Sequence, residues 1–252
     1  MEKRSDIQIY VLSHKPIAYQ REDALYSPLQ QGNYPDNLWT LRDNTGDNIS
    51  DLNPLYAETT GLYWVWKNRP KDLKYVGICQ YRRRLEFPED ENFDNIFASC
   101  DVVTMTPLLF AQGPQWQYAN CHNPDDITLT EMVVKQFYPE LTDSWDSVMK
   151  NQRKMLYSNG MIMPAGVFDQ YCEFLFTVLG EVFRRKGWNS LDDARHSVEE
   201  DIMRGRRRGS RGVAYQMQVG GFLSERLWTF WCLSHFPEER IKFMDYTKFE
   251  GC

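Results

Sequence analysis

A chain of 252 residues with 42% hydrophobic and 25% charged side chains has an ordinary globular composition and room for one large domain or two small ones. A net charge of −6 argues against nonspecific nucleic-acid binding, no apolar run reaches the length of a membrane span, and Met1 to Asp6 lack the apolar segment of a signal peptide, so a cytoplasmic protein is expected. The six cysteines are scattered without a C-x-x-C pair, which fits reduced thiols better than a disulfide framework or a zinc site.

Ile7 to Leu12 is a β-rich run and reads as the first, central strand, leaving through Ser13, His14, Lys15 and Pro16. Residues 17–53 are polar and rich in turn formers. They lead into Asn53-Pro54, an N-cap followed by proline at the first helical position, and a helix is expected over 55–68, stopped by Pro70. Tyr75 to Cys79 then reads as a buried strand that empties into Gln80, Tyr81, Arg82, Arg83 and Arg84. Guanidinium groups at the end of a buried strand either bind phosphate oxygens in bidentate fashion or pair with surface carboxylates.

Asp101 to Met105 reads as a further strand, and residues 107–126 as an aromatic and polar loop. A capping box, Thr128 to Glu131, is expected to open a helix that ends near Tyr138. Another helix is expected over 141–155, a short strand over 160–164 and a long amphipathic helix over 167–186, ended by Gly187. Residues 188–214, which include the basic run Arg204 to Arg211, read as a mobile loop that is either solvated or drawn to anionic lipid headgroups. Phe222 to His235 reads as the last helix and Ile241 to Met244 as a strand. Strands alternating with helices favour one α/β domain with a mostly parallel central sheet.

No P-loop, G-x-G-x-x-G, H-E-x-x-H or G-x-S-x-G occurs, and no apolar strand ends in Asp-x-Asp, the usual metal–diphosphate site of nucleotide-sugar enzymes. Several stretches nevertheless resemble, in matching order, one family. They are Ser13 to Pro16, Leu41 to Ser50, Asn53-Pro54, Glu58 to Trp64 with Trp66 to Asn68, Tyr75 to Ile78 with Tyr81 to Arg83, Phe168 to Cys172, and Gly221 to Leu227. The resemblance is to bacterial capsular and exopolysaccharide glycosyltransferases long grouped under a domain of unknown function, some members of which are similar to galactofuranosyltransferases.

The resemblance implies a GT-A-like, Rossmann-related single domain, with its nucleotide-binding part over 1–106 and its acceptor and catalytic part over 107–252. It implies an inverting transfer from a nucleoside diphosphate sugar, with UDP-galactofuranose or UDP-galactose the weakly preferred donor, to a glycan or lipid-linked glycan acceptor. Contact with the inner membrane face stays open. His14, Lys15, Asp43, Asp47, Asn48, Ser50 and Gln80 would shape the donor pocket, while Arg82 and Arg83 neutralise the diphosphate. Arginines would thus stand in for a metal; a divalent Mn or Mg is not favoured, and no metal ligands are assigned. Tyr118, Asn120, Asn159 and Arg226 would meet the acceptor. Glu225, in the opening turn of a helix after Gly220-Gly221, is the first candidate base, ahead of Asp126, with Asp125 and His122 beside it.

Three positions depart from the family pattern. Gln80 replaces a histidine before Tyr-Arg-Arg, Asn120-Cys121-His122 keeps one histidine of a pair, and Gln218 replaces an arginine. These losses leave two rivals open: a noncatalytic nucleotide- or glycan-binding module, and a phosphate-ester hydrolase using the same arginines.

Overall fold

Alternate side chains of the first strand enter opposite cores, so the run is apolar on both faces apart from Gln8, whose amide donates to the Leu25 carbonyl. Ile7, Ile9 and Val11 pack with Tyr26, Leu85 and Phe93 on one face, and Tyr10 and Leu12 pack with the helices on the other. The computed structural model describes residues 3–15, 21–32, 39–207 and 211–249. Its strands are β1 (Ile7–Ser13), β2 (Tyr26–Gln30), β3 (Leu41–Arg42), β4 (Tyr75–Gln80), β5 (Arg83–Arg84), β6 (Val102–Met105), β7 (Leu108–Leu109), β8 (Lys154–Met155), β9 (Met161–Pro164), β10 (Ile241–Met244) and β11 (Thr247–Lys248).

The main sheet runs β10-β6-β9-β4-β1-β2-β3, with β5 pairing at the end of β4 and β11 pairing with β5. Pairs β3·β2, β2·β1, β1·β4 and β6·β10 are parallel, and only β9 runs against its neighbours along this path. This is the mixed α/β domain with a mostly parallel central sheet that the alternation of elements implies. β2 was not foreseen: Tyr26–Gln30 is buried throughout but carries Ser27, Pro28 and Gln30, which disguise a strand.

The helices are α1 (Asn53–Tyr56), α2 (Thr59–Asn68), α3 (Phe93–Phe97), α4 (Pro114–Cys121), α5 (Pro124–Phe137), α6 (Thr142–Trp145), α7 (Ala165–Arg185), α8 (Leu191–Met203), α9 (Val213–Gln216) and α10 (Val219–His235). Four expectations need correction. The helix foreseen over 55–68 is broken at Ala57, whose φ of 49° and ψ of −130° are not helical, and Asn53 lies inside α1 rather than capping it. The aromatic stretch 107–126 is mostly helix, because Pro114 starts α4 and Asn123 caps α5 by accepting from the Asp125 N–H. Thr128 therefore sits within α5, and its hydroxyl turns back to the Pro124 carbonyl. The helix over 141–155 is α6 followed by a π-helical stretch, Asp146–Asn151, and then β8.

The fourth correction concerns 188–214. Ser190 caps α8 at the Asp193 N–H, and the basic run is pinned from below. Arg207 is buried, 3.1 Å from Asp126 and 3.3 Å from Asp201, while Arg204 pairs with Glu200 at the surface. Residues 208–210 of that run, and Pro16 of the first-strand exit, lie outside the described residues. Cys79, Cys100, Cys121, Cys172 and Cys232 form no disulfide.

The buried carboxylate of Asp126 also accepts from Lys186 at 2.6 Å and from the Tyr118 hydroxyl at 3.1 Å, so it joins α4, α5, α8 and the end of α7. Removing it leaves cations buried without a partner. Asp126→Ala should lower stability by about 3–5 kcal/mol, measured by urea unfolding. A change under about 1 kcal/mol would mean that the cluster is not structural.

Candidate functional site

Two adjoining cavities, of about 220 and 310 Å3, open at the carboxyl ends of β1 and β4. Both are lined by Ala57, Glu58, Gln80, Arg82, Arg83 and Gln218. The carboxyl edge of parallel strands is where open α/β sheets bind ligands. A larger cavity, of about 510 Å3, lies toward the amino ends of the strands against Tyr10, Trp39 and Trp64. Among the described residues its cations are Arg4, paired with Asp6, and Lys3, which donates to the Asp23 and Tyr26 carbonyls.

The first of the two cavities adds His14 to the shared arginines, and the second adds Arg211 and Arg226. Lys15, Arg82 and His14 all gather around the Tyr81 ring, with Lys15 Nζ 5.9 Å and the Arg82 guanidinium 5.0 Å from its centroid. Burial, then the charges of Arg82 and Lys15, hold the His14 imidazole below its usual range. The arginine triplet divides sharply. Arg84 is buried and paired with Glu86 at 2.8 Å. Among the described residues neither Arg82 nor Arg83 forms an ion pair with a carboxylate. Arg83 Nη1 donates to Ser158 Oγ at 3.0 Å, and its Nε is buried without a hydrogen-bond partner among the described residues. A buried, unpaired guanidine donor is costly unless something accepts from it.

The second cavity has carboxylates on its wall. Glu58 follows the break at Ala57, and the break is built rather than frayed. The carbonyls it frees are taken by Thr59 Oγ1 (to Tyr56), Asn53 Nδ2 (to Ala57) and Gln31 Nε2 (to Glu58). The first turn of α10 lies against it. A Cβ on Gly221 would stand 2.7 Å from the Ala57 Cβ and 3.2 Å from Glu58 Oε2, and one on Gly220 would stand 2.9 Å from the Leu55 carbonyl. Only glycine permits this approach. It brings Glu225, in the second turn of α10 rather than its opening turn, to the same cavity as Glu58.

The two carboxylates hang from consecutive residues. The Ser158 N–H donates to Glu225 Oε1 at 3.1 Å, and Asn159 Nδ2 donates to Glu58 Oε1 at 3.0 Å. Arg226 Nη1 adds a bond to Glu225 Oε2 at 3.2 Å. Burial and the charge of Glu225 push the Glu58 carboxyl up to about 7. Burial raises Glu225 as well, against the pull of Arg226 and the Ser158 N–H. Ala57, Ser158 and Asn159 are the non-glycine residues with positive φ among those described, and all three sit at these carboxylates. Strained backbone concentrated at one place marks a functional site.

The other expected site residues fall in different places. His122 lines the second cavity, stacked on Phe222 at 3.9 Å, and burial with the Arg226 charge lowers it to about 3, so its ring is neutral at neutral pH. Arg226 lines the same cavity but is engaged by Gln117, the Phe222 carbonyl and Glu225. Tyr118 and Asp126 are fully buried in the ion cluster and line neither cavity, because each satisfies the other's polar group. Asn120 turns its amide to the Trp116 carbonyl and also lies off the cavities. Asp43 is fully buried, accepting from the Gly32 N–H, Ser50 Oγ and Thr60 Oγ1, and burial raises its carboxyl. Asp47 and Asn48 are exposed on a turn that Asn68 and Tyr63 fasten to α2. Asp43, Asp47, Asn48 and Ser50 thus hold a loop to a helix and do not line either cavity. Glu58 was missed, because an acid within an expected helix looks like solvated surface. Among the described residues no group of three or more His, Cys, Asp or Glu side chains is placed to hold a metal ion, and no helix is long and apolar enough to cross a membrane.

Two outcomes follow from these positions. Asp43→Ala strands three donors and should cost about 2–4 kcal/mol in urea unfolding; a shift under about 0.5 kcal/mol would show that the tie is not structural. Glu58, raised from its ordinary value of 4.5 to about 7 on folding, loses stability for the native state as pH climbs through that window, since the unfolded chain releases its proton earlier. Glu58→Gln removes this penalty. Its thermal midpoint should rise relative to wild type between about pH 5 and pH 8, and a difference that is flat or falls with pH would contradict the raised carboxyl.

The apo structure of WbbM, a bifunctional glycosyltransferase, superimposes with a TM-score of 0.71 at 24% identity, covering 98% of this chain and 46% of that one. The chain therefore spans about half the length of that protein, and the likeness shows a shared GT-A-like fold. Among curated proteins nothing matches the chain. The model of a family described as a domain of unknown function, DUF4422, matches residues 8–199, and the chain belongs to that family.

Proposed function

We propose that the protein is a glycosyltransferase that uses a nucleoside diphosphate sugar. The observation that carries this is the split in the arginine triplet. Arg84 is spent on Glu86, while Arg82 and Arg83 face a cavity without carboxylate partners, 75 residues in sequence from the Ser158 that steadies Arg83. Such a cavity suits the paired phosphoryl groups of the donor, whose departure as a diphosphate needs its growing charge stabilised. WbbM is by name a glycosyltransferase, and that supports the same chemistry here.

Transfer to an acceptor hydroxyl with inversion needs a carboxylate to take the proton. Glu58 suits the role better than Glu225, the first candidate from sequence. Glu58 reaches both cavities and has one carboxylate oxygen bonded to Asn159, whereas both oxygens of Glu225 are engaged by Ser158 and Arg226. A carboxyl raised toward neutrality accepts a proton more strongly than an ordinary glutamate. Burial, and after it like-charge repulsion from Glu225, raise it. UDP-galactose or UDP-galactofuranose as donor, a capsular, exopolysaccharide or O-antigen acceptor, and a cytoplasmic site for the reaction, with or without contact at the inner membrane face, complete the proposal and rest on the family resemblance alone.

UDP in the presence of a chelator should raise the thermal midpoint, and Arg82→Met with Arg83→Met should remove that rise. Glu58→Gln should keep UDP binding and cut sugar transfer by about 10²–10⁴-fold. Strict metal dependence of UDP binding would defeat the arginine assignment. Full turnover by the Glu58 variant would return the base to Glu225. UDP binding without turnover of any nucleotide sugar by the wild-type protein would favour a binding module.

A further inference from the structure

Ser158 and Asn159 are the two residues of the site to which groups of opposite charge are tied. Ser158 is fully buried with φ of 69°, and Asn159 is nearly so with φ of 49°. Gly160 follows, where a Cβ would stand 2.3 Å from Met105 Cε, and β9 begins at the next residue. The turn is therefore wedged between the sheet and α10, and it adopts a backbone that neither residue favours. A cheaper turn with glycine at these positions would build the same chain path. What glycine could not supply is the side chains. Ser158 Oγ accepts from Arg83 Nη1 at 3.0 Å while its N–H holds Glu225. Asn159 Nδ2 is shared between Glu58 Oε1 at 3.0 Å and Ser224 Oγ at 2.9 Å.

We propose that the Ser158–Asn159 turn is a positioning element that ties Arg83 to the carboxylate pair, so that filling the phosphate site is felt at the base. The proposal rests on the donor assignment above. An anion drawn to Arg83 competes with Ser158 for the same guanidinium and cancels the positive charge that helps keep Glu225 ionised. Donor binding then raises the proton affinity of Glu225, and a protonated Glu225 no longer repels charge on Glu58, which leaves Glu58 ionised as the base at the moment the leaving group is in place. The charged and titratable groups facing the pair are Arg226 on α10, Arg83 on β5, Tyr157 beside the turn and Tyr171 on α7. Of these, Arg83 is the cation bonded to the turn itself.

The test uses full-length protein with carboxyl-labelled glutamate, titrated by NMR with and without UDP, beside UDP affinities from tryptophan fluorescence. Glycine tolerates positive φ, so Ser158→Gly and Asn159→Gly delete side chains without adding strain. UDP should move the Glu225 titration of the wild-type protein upward and that of Glu58 downward. Ser158→Gly should weaken UDP by about three- to tenfold and shrink that movement at least about twofold, and Ser158→Asn, which tolerates the same backbone and offers an acceptor to Arg83, should restore both. Asn159→Gly should raise the Glu58 titration in the absence of UDP, since its amide favours the charged form, and weaken UDP less than Ser158→Gly does. A titration that does not move with UDP, or moves equally in Ser158→Gly, overturns the proposal. If the wild-type protein binds no UDP, the donor assignment fails by itself. Asn159→Gly then decides the turn, and an unmoved titration would end its role.

Discussion

The site depends on a contact without side chains. Gly220 and Gly221 let the first turn of α10 lie on the backbone of the α1–α2 break, at separations no Cβ would tolerate. From that contact the rest is determined. The break turns Glu58 into the cavity, α10 carries Glu225 and Arg226 to the same wall, and the turn before β9 is squeezed into a left-handed path between them. Two like charges in one half-buried place are unfavourable, and the hydrogen bonds from Ser158, Asn159 and Arg226 offset the cost in part. The remainder is expressed as a carboxyl that binds its proton near neutrality.

A second group of cations enters the cleft from the strand ends. His14, Lys15, Arg82 and Arg83 converge where β1 and β4 end, and Tyr81 supplies a ring against which three of them pack. Arginines line the cleft along its length, with Arg226 beside Glu225, and the carboxylates Glu58 and Glu225 come from the side of the α1–α2 break and α10. A diphosphate sugar can engage both, with charge at one end and hydroxyls at the other. This fit is why the hydrolase alternative is less apt: a simple phosphate ester would use the arginines and leave the carboxylates without a task.

The fold was largely legible because the strands that build it are buried on both faces and so read as mostly apolar runs, as in Ile7–Ser13 and Tyr75–Gln80. Where burial is achieved by polar residues the signal vanished. Tyr26–Gln30 hides Ser27 and Gln30 in the sheet, and Arg207 hides a guanidinium between two aspartates, which no periodicity announces. Of the site, the arginines after β4 were visible because a strand aims them. Glu58 was not, because the helix break that aims it comes from tertiary contacts with Gln31 and α10. The loop over 41–50 misled in a different way: a distinctive run of turn formers can serve to bind a helix, through Asp43 and Asn68, as well as a ligand.

The most direct measurement is a crystal structure with UDP bound. The account predicts the β-phosphate between Arg82 and Arg83, the Arg83 contact with Ser158 lengthened or exchanged, and Glu58 facing open space beyond the phosphate where a sugar and its acceptor meet. UDP seated in the cavity of Tyr10 and Trp64 at the opposite edge, or in the cleft with both guanidinium groups turned away, would contradict it.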